Sequence, residues 1–180
     1  MAHSLGAWRR VSGAARLVAA LALGGAGSAV GQASSSAGPP ASAAARAAVD
    51  DLNAKFVRAC REMDNAASAS LWADDGVDLI QGLAPMVGKA AIAAWLDGLA
   101  PGLKGAKMVY CTIDWKQITI QGDVAYEWGT NRQRMEFPPP AQPFESEGKI
   151  TLVLERQTNG EWKIGLESWN SSPKAGAPRG

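Results

Sequence analysis

The 180-residue sequence contains one histidine, two cysteines and two tyrosines, and it has few charges of either sign. The histidine is His3, inside a segment that reads as a secretion signal. Removing that segment leaves no imidazole. This excludes Ser-His-Asp hydrolysis, Cys-His nucleophilic catalysis, His-ligated zinc and a histidine proton shuttle. No glycine-rich phosphate loop, Cys-x-x-Cys pair or EF-hand loop occurs, so neither a metal nor a cofactor is expected. The net charge is +1, but Arg9, Arg10 and Arg16 supply +3 of it with no acid before residue 33. Subtracting those three charges from +1 leaves about −2 for the rest. Such a chain offers no electrostatic attraction to nucleic acid or to an anionic membrane.

The amino terminus has three parts. Arg9-Arg10 form a basic region, Leu17–Leu23 an apolar run, and small residues follow around Ala29 and Ala33. The run is too short for a bilayer, which needs roughly 20 residues. Residues 1–33 therefore read as a signal peptide, with no membrane association after cleavage and a periplasmic or secreted destination. Residues 34–42 are a Ser/Pro/Gly-rich lead-in, and 173–180 form a similar tail. One domain is expected over 43–172. Export would place Cys60 and Cys111 where a disulfide forms readily. Each also sits in an apolar periodic segment, where free cysteine packs as a small hydrophobe. Both readings stay open.

Within the domain the apolar period is first helical and then two. Val49, Leu52, Phe56, Ala59, Cys60 and Met63 give one face to a helix over 43–63, capped by Ser42. A short helix over 66–72, a turn at Asp74-Asp75-Gly76, a short strand over 77–80 and a loop over 82–87 follow. A third helix spans 89–99 and ends at Pro101-Gly102. Four long strands are then predicted over 107–120, 124–137, 144–157 and 162–169, the last two joined by Asn159-Gly160. The alternation slips phase at Trp115-Lys116-Gln117, which predicts a bulge. The pattern is α+β: three N-terminal helices packed on a curved antiparallel sheet of four long strands and one short one.

Phe56, Leu71-Trp72-Ala73-Asp74-Asp75-Gly76 and Gly88-Lys89-Ala90-Ala91-Ile92 resemble the amino half of the SnoaL-like, nuclear-transport-factor-2-like superfamily. Asp123–Gly129, Gly160–Ile164 and Ser168–Ser172 extend the likeness, which is strongest toward its exported, DUF4440-type branch. The resemblance implies a cystatin-like cone with a pocket open at one end. It does not imply one function, because the fold hosts isomerases, cyclases, hydratases and non-enzymes. Matched to the superfamily, Ala125, Glu127, Gly129, Asn131 and Gln133 face the pocket. So do Glu147, Lys149 and Thr151, and so do Lys163, Gly165, Glu167 and Trp169. Ile150, Leu152, Leu154, Trp162, Ile164 and Leu166 then form an apolar outer face, which implies a homodimer through the outer sheet.

Glu127, Glu167 and Lys149 are the candidate catalytic set, because two carboxylates and an ammonium in a desolvated cavity can hold one acid and one base near neutrality. The bland reading of the same set is a buried polar network that orders the sheet. Asp78, Asn131, Glu147, Trp169, Phe56 and Trp95 are candidate ligand-binding residues. Ketosteroid isomerases resemble the chain at Ala73-Asp74-Asp75 and around Trp169. Their tyrosine, aspartate base and protonated aspartate correspond to Phe56, Ile80 and Lys149, so that activity is not expected. The expectation is an exported cone-fold protein that binds a small, partly apolar molecule, with an acid/base isomerase, cyclase or hydratase as the alternative.

Overall fold

The computed structural model describes residues 42–172, which lie within one compact unit. Residues 1–41 and 173–180, where a signal peptide with His3, most of the lead-in and the tail are expected, lie outside the described residues.

Helix α1 (Ala43–Glu62) starts where Ser42 Oγ accepts the Ala45 N–H at 3.1 Å. It ends at Met63, which takes the left-handed conformation. Its buried stripe is Val49, Leu52, Asn53 and Ala59. Asp64 caps α2 (Asn65–Ser70) by accepting the Ala67 N–H. Then come β1 (Trp72–Ile80), β2 (Met86–Val87), α3 (Lys89–Leu99) and a 3-10 turn over Ala100–Leu103. Strands β3 (Lys107–Gln121), β4 (Val124–Glu136), β5 (Phe144–Arg156) and β6 (Trp162–Ser171) complete the chain. Gly122 and Gly160 take positive φ in the β3–β4 and β5–β6 turns, a conformation that other residues adopt at a cost.

The sheet has six strands in the order β2-β1-β6-β5-β4-β3 and is mixed, because β1 runs parallel to β6. Three expectations are corrected here, the first being the five-stranded antiparallel sheet, since a sixth strand joins it and β1 pairs in parallel. The Asp74-Asp75-Gly76 segment is not a free turn but part of β1, where a register break between Trp72 and Val77 absorbs it. Met86–Val87, expected as loop, pairs with β1 at Val77 and Asp78. The three helices, the β3–β6 meander and the bulge at Lys116 are as the periodicity predicts.

Helix α1 packs on β3 and β6, and α3 packs on β1 and β2, so the helices cover one face of the sheet. On that inner face sit Ala125, Glu127, Gly129 and Asn131 of β4, all buried as expected. The assignment for β5 is inverted. Ile150, Leu152 and Leu154 are buried, while Glu147, Lys149 and Thr151 are exposed on the outer face. The physical reason is the core itself: three branched aliphatics fill the space under the helices, and leaving them in water would cost several kcal/mol, roughly 1.5–3 each. On β6 the assignment holds for Glu167 and Trp169 only. Gly165 is an extra residue at a register break opposite Val153 and Leu154. It turns Trp162 and Ile164 inward and Lys163 to the side. A Cβ at Gly165 would stand 2.7 Å from Glu155 Cδ, so the bulge is built around the missing side chain. Cys60 and Cys111 form a disulfide, with Cα atoms 6.2 Å apart, that ties the last turn of α1 to β3.

Candidate functional site

The strand register arranges the inner face in transverse rows. The deepest row is Ile120, Ala125, Leu154, Ile164 and Trp72, all buried: an apolar floor. The next row is Ile118, Glu127, Leu152, Glu167, Asp78 and Met86. Above it lie Trp115, Gly129, Ile150, Trp169 and Ile80. Three carboxylates thus share one row, with Leu152 separating Glu127 from Glu167. No inward strand position of these rows holds lysine or arginine.

Burial divides the acids into two centres. Glu127 is 0% exposed, and its Oε2 accepts the Asn53 amide at 2.9 Å. Burial pushes its carboxyl up to about 7, against the lowering effect of that hydrogen bond. Glu127 Oε1 and Asn53 Oδ1 have no partner among the described residues. A protonated Glu127 has the donor that Asn53 lacks. This centre is sealed and joins α1 to the sheet.

The second centre is Asp78 with Glu167, directly paired on neighbouring parallel strands roughly 4.8 Å apart. Burial raises both carboxyls, to about 6 for Asp78 and about 8 for Glu167. The nearby Asp78 charge adds to the rise at Glu167, while a backbone hydrogen bond from Leu79 restrains Asp78. Asp78 is 3% exposed and its Oδ1 is unpartnered. Glu167 and Trp169 are half-buried, whereas Glu127 is fully buried.

Trp169 Nε1 donates to Asn131 Oδ1 at 2.8 Å, across β5. Gly148 makes room for that bond. A Cβ there would lie 2.9 Å from Asn131 Oδ1, 3.1 Å from Trp169 Nε1 and 2.4 Å from Asn170 O. Phe56, Leu96, Ile113, Trp115 and Trp169 are partly buried and pack on the core, giving the inner face an aromatic, apolar character.

The predicted residues therefore separate. Glu127, Glu167, Asp78, Asn131 and Trp169 come together on the inner face, and Phe56 reaches the same core from α1. Lys149 does not join them: it is exposed, opposite Thr130 and Asn170. Glu147 is also outside, 3.9 Å from Arg132. Trp95 is half-buried on α3, outside the apolar set on the core. Asn53 was not predicted, although a polar residue inside the Val49-Leu52-Phe56 stripe was its signal. Among the described residues no three His, Cys, Asp or Glu side chains are placed to hold a metal ion. Two surface hollows of about 300 and 350 Å³, one lined by Lys55, Arg58 and Lys163 and the other by Asp123 and Arg156, lie away from the acid row.

Residues 41–166 match the model of the SnoaL-like domain. The chain belongs to that family. Solved structures similar to this SnoaL-like domain include a ketosteroid isomerase-like protein from Erwinia carotovora atroseptica. It is 16% identical, with a TM-score of 0.61 over 71% of this chain and 96% of that one. A second is a nuclear-transport-factor-2-like protein with a cystatin-like fold from Novosphingobium aromaticivorans, 21% identical, with a TM-score of 0.59 over 73% and 84%. A third, of the same fold group, is from Pseudomonas putida: 24% identical, TM-score 0.57, over 75% and 92%. At these identities the likeness is one of fold, the α+β cone with its mixed sheet. A search of curated proteins gives no significant match.

Proposed function

We propose that this SnoaL-like domain is an exported protein of the DUF4440-type branch that binds a small, partly apolar molecule on the inner face of the cone. The observation that carries this reading is the placement of the Asp78–Glu167 pair one row below Trp169 and Trp115, with polar groups beside an apolar wall. Trp169, held by Asn131, supplies a flat face for stacking. Tryptophan fluorescence titrated with a panel of aromatic and alicyclic compounds tests it. Binding is expected, and W169A should weaken it about tenfold, the effect of losing one good stacking contact. Failure of every compound in the panel to bind would end this reading.

An acid/base isomerase, cyclase or hydratase is the second reading, and one observation favours it. Asp78 and Glu167 titrate on either side of neutrality, so the pair can hold one proton and one charge at pH 7. Lys149 has no part in it. Turnover of any compound in the panel that E167Q abolishes would support catalysis.

A further inference from the structure

Among the described residues the Asp78–Glu167 pair has no hydrogen-bonded or ion-paired lysine or arginine. Its neighbours on the same row, Met86 and Leu152, are uncharged, and Glu127 is occupied by Asn53 two strands away. Helix α3, packed on β1, carries Lys89 and Asp97, and neither shifts either carboxyl. Arg46, at the start of α1, acts on Glu127 and is itself paired with Asp50. Asp78 Oδ1, in a side chain that is 3% exposed, is an acceptor without a donor, and a buried acceptor is costly to leave unfilled. One row up on β6, Trp169 presents a ring whose Nε1 is already engaged by Asn131.

We infer that the ligand of the cone carries a protonated amine, received by Asp78 and Glu167 and flanked by Trp169, with its apolar body against Ile150 and Trp115. This rests on the small-molecule reading above and names the ligand class. An ammonium offers three donors and no acceptor; a hydroxyl offers one donor, and a carboxylate none. Only the first supplies both carboxyls and suits the face of a neighbouring indole. Because the pair holds a proton near neutrality, an arriving ammonium displaces it into the buffer.

Isothermal titration of the full chain with 2-phenylethylammonium, 2-phenylethanol and 3-phenylpropionate tests the inference. The ammonium should bind at least about tenfold tighter than the alcohol, as expected for a charge-assisted hydrogen bond over a neutral one. The propionate should bind weakest. In two buffers of different ionisation heat at pH 7, only the ammonium should release protons. E167Q and D78N should each abolish the preference for the ammonium over the alcohol, bringing the two to similar affinity. Equal binding of ammonium and alcohol by the unmodified protein overturns this inference and leaves the small-molecule reading standing. Failure of all three probes and of the wider fluorescence panel overturns both.

Discussion

Glu127 and Glu167 occupy the same row of the sheet, yet their surroundings give them different work. Glu127 is buried with Asn53 as its one hydrogen-bond partner among the described residues, so its raised carboxyl bears on stability. Its folded value, about 7, exceeds its ordinary 4.5. The stability it contributes is therefore fully present below pH 4.5 and is lost as pH rises through 7. The span corresponds to about 3 kcal/mol. E127Q keeps the shape and can exchange two hydrogen bonds with Asn53. Urea unfolding should show E127Q close to the unmodified protein at pH 5 and more stable at pH 9, by up to about 3 kcal/mol. A variant less stable at both pH values would show that Glu127 is not held neutral. Asp78 and Glu167 change stability in the same direction, so the unmodified domain itself should be weaker at pH 9 than at pH 5.

Two element-scale features hold the inner face in shape. Strand β5 can pass beneath the Trp169–Asn131 hydrogen bond only because residue 148 has no side chain. G148A would push a methyl against that bond and against the Asn170 carbonyl. Overpacking of this kind costs about 1–3 kcal/mol. It should also reduce the fluorescence response to ligand, since the ring of Trp169 must move. An unchanged melting temperature and unchanged titration would refute the packing account. The second feature is the disulfide between α1 and β3, which closes a loop with a sequence separation of 51 residues. Chain entropy assigns such a loop about 4 kcal/mol. The C60A/C111A double variant should lose a comparable amount in urea unfolding, and reductant should then have no further effect.

At the scale of the whole molecule, the outer face of the sheet carries its own apolar band. Tyr126, Val153, Leu166, Val77 and Val87 share one transverse row, with Trp128 beside it. Tyr126 is 45% exposed, Trp128 44% and Val87 67%. The Ile150-Leu152-Leu154 set, expected to carry a homodimer, fills the core instead, so a dimer through the outer sheet would have to use this band. Sedimentation velocity at micromolar concentration should give a dimer, and Y126E should give a folded monomer with an unaltered far-ultraviolet spectrum. A monomeric unmodified protein would overturn the expectation of a dimer.

The elements were legible in the chain, because apolar period and capping residues act locally, and the SnoaL-like family was legible through the motif resemblance at 71–76 and 88–92. Val49-Leu52-Phe56 fixes a helical stripe, Ser42 and Asp64 fix helix starts, and Gly160 fixes a hairpin turn. Faces on β4 were legible too, since an unbroken alternation admits only two choices. Matching β5 to relatives misplaced Lys149, although its own alternation of Ile150, Leu152 and Leu154 pointed inward. The bulge at Gly165 was hidden, because Trp162, Ile164 and Leu166 look like one continuous face until an extra residue shifts the last of them. Local pattern alone determined helices, strands, the two-residue periodicity and the carboxylates as the available proton-carrying groups. Only the tertiary structure decided which carboxylates meet. Pairing Asp78 with Glu167 depends on two strands, roughly ninety residues apart in the chain, lying parallel, and the burial that distinguishes them from Glu127 comes from helices packed over the sheet.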